Sequence, residues 1–193
     1  MKKFLSLVLA LVMTMSLVTV SAGAKDFTDD SEITYKEAVD VISALGVVDG
    51  YSDGDFRPDD VLTRGAAAKI ICNLILGPTT ASYLSADTAP FKDVPVTNVF
   101  AGYITYCSQQ GIINGYADGS FRGDSNITRA EVVTVANRVM GRTPDKEYIN
   151  DNLAALNKFT DLKNNSHWAY YDIMEAANAH LAVSSSENET WVK

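Results

Sequence analysis

Gly115-Tyr116-Ala117-Asp118-Gly119-Ser120-Phe121-Arg122-Gly123-Asp124-Ser125-Asn126-Ile127-Thr128-Arg129-Ala130 is a second version of a stretch that opens at Gly50. The earlier copy reads Gly50-Tyr51-Ser52-Asp53-Gly54-Asp55-Phe56-Arg57-Pro58-Asp59-Asp60-Val61-Leu62-Thr63-Arg64-Gly65. Every matched pair, from Gly50 and Gly115 to Arg64 and Arg129, lies 65 positions apart. An internal repeat of this length marks one supersecondary unit that buries its apolar face only by packing against its copies.

Working outward from the twin stretch, Thr63 and Thr128 stand where helix N-caps belong. In the second copy Thr128 and Glu131 have the spacing of a capping box, whereas the first copy has Ala66 and keeps half of it. The helices that follow, over 64–76 and 129–140, run into Gly77 and Gly141, with Pro78 and Pro144 close behind. Upstream, Phe27-Thr28-Asp29 and Phe91-Lys92-Asp93 each precede an amphipathic pattern, over 35–45 and 100–110. Phe159-Thr160-Asp161 opens a third such stretch over 168–179. Gly46 and Gly111 close the first two of these helices, since glycine takes the left-handed conformation that ends a helix.

Each full unit is therefore helix, Gly/Asp loop, helix, and the expected fold class is mainly α. The expected organisation is a signal peptide over 1–24, repeats over 25–76 and 91–141, and a partial repeat over 159–193. Linkers fall at 77–90 and 142–158, with 148–156 a candidate for a short extra helix. The third copy keeps only its first helix: His180-Leu181 stands in place of the Gly-Val or Gly-Ile pair, and Ser184-Ser185-Ser186 leads to a short end.

Lys2 and Lys3 precede an uncharged apolar run, and Ala22-Gly23-Ala24 supplies the small residues of a cleavage site, so cleavage after Ala24 is expected and membrane attachment is not. The chain carries 24 acids against 16 bases, a net charge of −8, which falls to −10 once the two leader lysines go. With lysines and arginines scattered singly, no nucleic-acid surface is expected, and an anionic ligand must be caught locally. Cys72 and Cys107 are not at equivalent repeat positions, and each sits in an apolar helical stretch; buried free thiols are the plainer reading, a disulfide the alternative.

The Phe-x-Asp openings, the Gly-Tyr-x-Asp-Gly-x-Phe-Arg loops, Ile127-Thr128-Arg129-Ala130-Glu131 and His167-Trp168-Ala169-Tyr170 together resemble the S-layer homology domain, over nearly all of residues 26–180. The resemblance implies three helix-loop-helix repeats in a pseudo-threefold bundle, with grooves between neighbours, the third repeat here being incomplete. It also implies an exported module that binds a secondary cell-wall polysaccharide, often carrying ketal-linked pyruvate, attached to peptidoglycan. The family's binding arginine maps to Arg129 and, less fully, to Arg64; its tryptophan element maps to Trp168. The departures are Gly65-Ala66, Val99-Phe100 where a tryptophan is expected, and the missing second half of repeat three.

The chemistry suits such a ligand. A pyruvate ketal presents a carboxylate on a sugar, and an arginine in the first turn of a capped helix meets it where free amides and the helix dipole already favour an anion. Its planar fork holds a carboxylate through two charge-assisted bonds. The rival reading pairs Arg64 and Arg129 with Asp59 and Asp124, or packs them across the bundle. Trp168 offers a ring to a sugar face or fills the core. Asp93 and Asp161 are candidates to accept bonds from sugar hydroxyls, against the plainer role of turn or cap. Asp49, Asp53 and Asp55 do not have calcium-loop spacing, and neither a metal nor another cofactor is expected. No nucleophile or metalloprotease motif is present, so the chain is read as non-enzymatic. The alternative function is an adaptor that has lost polysaccharide binding and assembles with other surface proteins.

Overall fold

The computed structural model describes residues 25–162, 165–184 and 189–192; the leader expected over 1–24 lies outside the described residues. Among the described residues seven helices follow a short 3-10 turn at Asp30–Glu32: α1 (Lys36–Ala44), α2 (Arg64–Leu76), α3 (Pro78–Ala81), α4 (Ala101–Gln109), α5 (Arg129–Val139), α6 (Lys146–Asp151) and α7 (Tyr170–Ala177). The fold is mainly helical, as the periodicity requires. Thr63 caps α2 by accepting from the Ala66 amide, and Thr128 with Glu131 forms the full capping box of α5. Gly46 and Gly111 take φ of +68° each, as expected of helix-ending glycines. The segments expected to be linkers carry the short helices α3 and α6.

Inside each full repeat the opening and the loop form one unit. The Asp29 carboxylate accepts the amides of Phe56 (2.8 Å) and Arg57 (2.7 Å), and Asp93 accepts those of Phe121 (2.8 Å) and Arg122 (2.7 Å). These two bonds hold Arg57 and Arg122 at φ of +59° and +58°, a region that non-glycine residues avoid. The Phe91 ring lies so close to Gly115 that a Cβ there would come within 2.2 Å of it, and Phe27 crowds Gly50 to 2.5 Å in the same way. That contact explains why Phe-x-Asp and Gly-Tyr recur together.

Successive repeats pack by their helices. α2 lies on α4, joining Ala68, Ile71 and Cys72 to Ala101, Ile104 and Cys107 in the largest core, closed by Val94, Phe121 and Val135. Both thiols are free and buried, with their Sγ atoms 3.5 Å apart. Gly65 lets this junction close: a Cβ there would sit 2.7 Å from the Phe100 ring, and its amide donates to the Gly123 carbonyl at 2.9 Å. The departure Gly65, and the phenylalanine in place of tryptophan, are therefore two sides of one contact. α5 packs on α7 in turn.

After α7 the chain departs from the expected short end. Leu181–Ser184 (β1) and Glu189–Val192 (β2) pair antiparallel, placing Ala182 opposite Trp191. Trp191 is buried against Ile149 of α6 and Tyr170 and Met174 of α7. Its indole donates to Glu175 Oε2 at 2.8 Å and stacks on His180 at 3.7 Å. Glu175, itself buried, also receives Arg142 at 2.5 Å.

The clamps carry a pH signature. The Phe56 amide, ahead of an opposing desolvation and aided by Arg57, holds Asp29 below the ordinary 3.8. At Asp93 desolvation pushes up, yet the Phe121 and Arg122 amides together pull the carboxyl below 3.8. A depressed folded value means that stability is fully present above the unfolded value and lost as pH falls through the folded one. The urea midpoint should therefore hold down to about pH 4 and drop below it. Asp93→Ala should lower the unfolding free energy at neutral pH by about 1–2 kcal/mol and flatten that acid limb.

Candidate functional site: two grooves flanking helix α5

Arg64, at the first position of α2, is 3% exposed. Its Nε donates to the Phe121 carbonyl (2.9 Å), one terminal nitrogen to the Asn114 carbonyl (2.9 Å), and the other to Glu131 Oε1 (2.6 Å). The guanidinium also lies 4.8 Å from the Tyr116 ring centroid and 4.7 Å from that of Phe121. The partner is thus Glu131 of the next repeat, not Asp59. Glu131 is saturated as well: Tyr116 Oη donates to Oε1 at 3.0 Å, and the Thr128 amide (2.8 Å) and hydroxyl (2.9 Å) donate to Oε2. Partial burial pushes the Glu131 carboxyl up, but the Thr128, Tyr116 and Arg64 interactions outweigh it and bring it below its ordinary 4.5.

Arg129 occupies the equivalent place at the start of α5, and its surroundings differ completely. It is exposed, and among the described residues its side chain makes no hydrogen bond or ion pair, with Asp124 or any other acid. Instead Arg129 lines a groove of about 330 Å³ with Ala130 and Val133 of α5, Ile173, Ala176 and Ala177 of α7, and Phe159, Asp161, Leu162 and His167. Phe159 is 45% exposed. Asp161, the third clamp aspartate, accepts no amide among the described residues and forms no ion pair with Arg129. Phe159 and Asp161 of the third Phe-x-Asp opening are groove wall.

The other side of α5 borders a second groove of about 510 Å³. Ile113, Asn114, Gly115 and Tyr116 of the second loop line it, with Arg64, Thr128, Glu131, Thr134, Val135, Arg138 and Trp168. Trp168 is 63% exposed at its edge, so it is not core filler. Of the five residues singled out from the sequence, Arg129 and Asp161 share the first groove and Arg64 and Trp168 the second. Asp93 lines neither; both its oxygens are engaged by the Phe121 and Arg122 amides. Thr134, Arg138 and Trp191 escaped the sequence reading. They lie outside the repeated motif, and only the repeat offset, which sets Arg138 against Asn73 and Thr134 against Lys69, could have drawn attention to them. Among the described residues no cluster of three metal-ligating side chains occurs, and no helix is long and apolar enough to cross a membrane.

Paired helical repeats with grooves at their junctions define a helical-repeat module. Residues 26–68 and 90–133 match the S-layer homology domain, and the chain belongs to that family by these two repeats. Among its relatives are a surface layer protein of Brevibacillus choshinensis, 32% identical over 75% of this chain and 13% of that protein, and cell surface glycoprotein 1 of Acetivibrio thermocellus, 32% identical over 81% and 7%. A cellulosome-anchoring protein of Acetivibrio thermocellus is 33% identical over 62% of this chain and 26% of its own length. This chain therefore corresponds to a small part of each.

The contrast between the two arginines predicts opposite costs. Arg64→Ala strips a buried ion pair of one partner and should lower the unfolding free energy by about 3–5 kcal/mol. Arg129→Ala should change it by no more than about 0.5 kcal/mol. Urea denaturation of both variants tests this, and equal losses would contradict the assignment.

Proposed function

We propose that the chain is an exported, non-enzymatic module that holds to the outside of a Gram-positive-type cell wall by binding a secondary cell-wall polysaccharide. The observation that carries this reading is the unpaired Arg129 guanidinium, set at the N-terminus of α5 over an apolar groove, while its counterpart Arg64 is saturated inside the fold. A carboxylate on a sugar, such as a pyruvate ketal, meets there a bidentate donor and the positive end of a helix dipole. Phe159 and Leu162 supply the apolar wall against which a sugar ring lies, and Asp161 and His167 supply bonds to hydroxyls. Trp168 extends the surface into the second groove. Arg64 and Asp93 serve the site indirectly, by fixing the second loop.

The reading draws further support from the two matched repeats and from relatives whose names are those of surface-layer and anchoring proteins. Export follows from the leader read over residues 1–24. The net charge of −10 left without the leader lysines makes a well-placed cation decisive, because the rest of the surface repels an acidic polymer.

The test is co-sedimentation of residues 25–193 with purified wall sacculi, before and after removal of the secondary polysaccharide. Wild-type protein should sediment with intact sacculi and stay in solution with stripped ones. Arg129→Ala should bind at least about tenfold more weakly with an unchanged urea midpoint. A folded protein that binds neither preparation would overturn the reading in favour of an adaptor between surface proteins.

A further inference from the structure

We infer that Cys72 and Cys107 form a cross-linking site: once the chain meets a disulfide oxidant outside the cell, the two thiols close to a disulfide that ties the first repeat to the second. Of the function proposed above, this rests on export alone; wall binding has no part in it.

The chain has two cysteines, and the fold brings both to one place. Cys72 lies on α2 and Cys107 on α4, the helices that join the repeats, and each is 0% exposed. The approach is reciprocal. Cys72 Sγ reaches the carbonyl of Tyr103, one turn before Cys107, at 3.7 Å, and Cys107 Sγ reaches the carbonyl of Ala68, one turn before Cys72, at 3.6 Å. Each thiol is therefore aimed at the opposite helix, and the sulfurs meet 3.5 Å apart. An S–S bond of about 2.0 Å asks for a further ~1.5 Å, shared between two side chains. Oxidation strands no acceptor, because both carbonyls lie inside their helices, where the amide four residues on serves them. With no third cysteine, no other pairing competes within the chain.

The second junction is an internal control. The repeat offset sets Asn137 of α5 against Cys72, and the 68-residue step from Phe91 to Phe159 sets Glu175 of α7 against Cys107. Both are buried and bond to other groups, Asn137 to the Asp172 carbonyl (2.9 Å) and Glu175 to Arg142 and Trp191. Packing at this layer of the junction does not itself call for two cysteines.

The exchange balances. The thiolate of one cysteine attacks the external disulfide and releases one oxidant thiolate; the other cysteine, its proton passing to solvent, attacks the first cysteine's sulfur and releases the second. Protein dithiol and oxidant disulfide become protein disulfide and two oxidant thiols. A mixed disulfide does not fit the closed core, so exchange precedes the docking of α2 on α4 or follows its opening, and the docked helices then hold the bond.

The test equilibrates the mature chain, residues 25–193, with reduced and oxidised glutathione, then quenches, alkylates and digests it with trypsin. Lys92 is the one tryptic site between the cysteines, so the bond joins peptides 70–92 and 93–122 until they are reduced. The oxidation constant should be at least about thirtyfold larger in native buffer than in concentrated urea. Oxidation should raise the melting midpoint by roughly 5–10 °C, and the Cys72→Ala, Cys107→Ala double variant should show no such redox-dependent shift. Thiols that stay alkylatable in oxidised glutathione, a constant no larger in native buffer than in urea, or a shift that persists in the double variant overturns the site. Because no cell wall enters the measurement, its failure and a failure to bind sacculi are separate results.

Discussion

The burial of the Arg64 guanidinium at the junction of the first two repeats is the interaction on which the rest of the structure depends. A cation removed from water survives only if its donors are matched, and here two loop carbonyls and one carboxylate match them, with two aromatic rings against its faces. All of these partners belong to the second repeat. One side chain therefore orients the second loop, anchors Glu131 and, through Glu131, completes the cap of α5. Gly65 beside it is the steric condition for that approach, since any side chain would strike Phe100.

The same geometry sets the two motif arginines apart. The second repeat takes up the arginine of the first, whereas no described residue forms a hydrogen bond or ion pair with the side chain of Arg129. Its groove is walled by Phe159 and Asp161, residues whose counterparts Phe91 and Asp93 are fully occupied in holding the second loop. Phe159 and Asp161 thus line a groove where Phe91 and Asp93 are structural, while Trp191 of the β1–β2 pair packs on α6 and α7.

Polar networks of two kinds result. The clamps of Asp29 and Asp93 and the Arg64–Glu131 pair are closed, each charged group bonded within the fold, and such networks rigidify. The arginines on α5 are open: Arg129 and Arg138 present donors that the described residues do not satisfy. A binding surface on an acidic protein has to come from such open groups, because the closed ones contribute no net field beyond their own contacts.

The repeats, the capped helices and the helix-ending glycines were legible in the sequence because they depend on neighbours within one turn or one loop: Thr128 and Glu131 bond to each other's backbone wherever the helix lies, and a left-handed Gly46 needs only its own missing Cβ. The pairing of Phe-x-Asp with its loop was visible as co-occurrence, without its cause. What the sequence could not rank was the fate of two arginines in nearly identical motifs. Burial and neutralisation of Arg64 come from groups between fifty and sixty-seven residues away, and among the described residues no such groups reach Arg129. Likewise the strand pair at the C-terminus acquires meaning only beside Glu175. Local hydrogen-bonding and steric rules are written in the order of residues, but saturation of a charge is a property of everything that packs around it, and tertiary structure alone decides that.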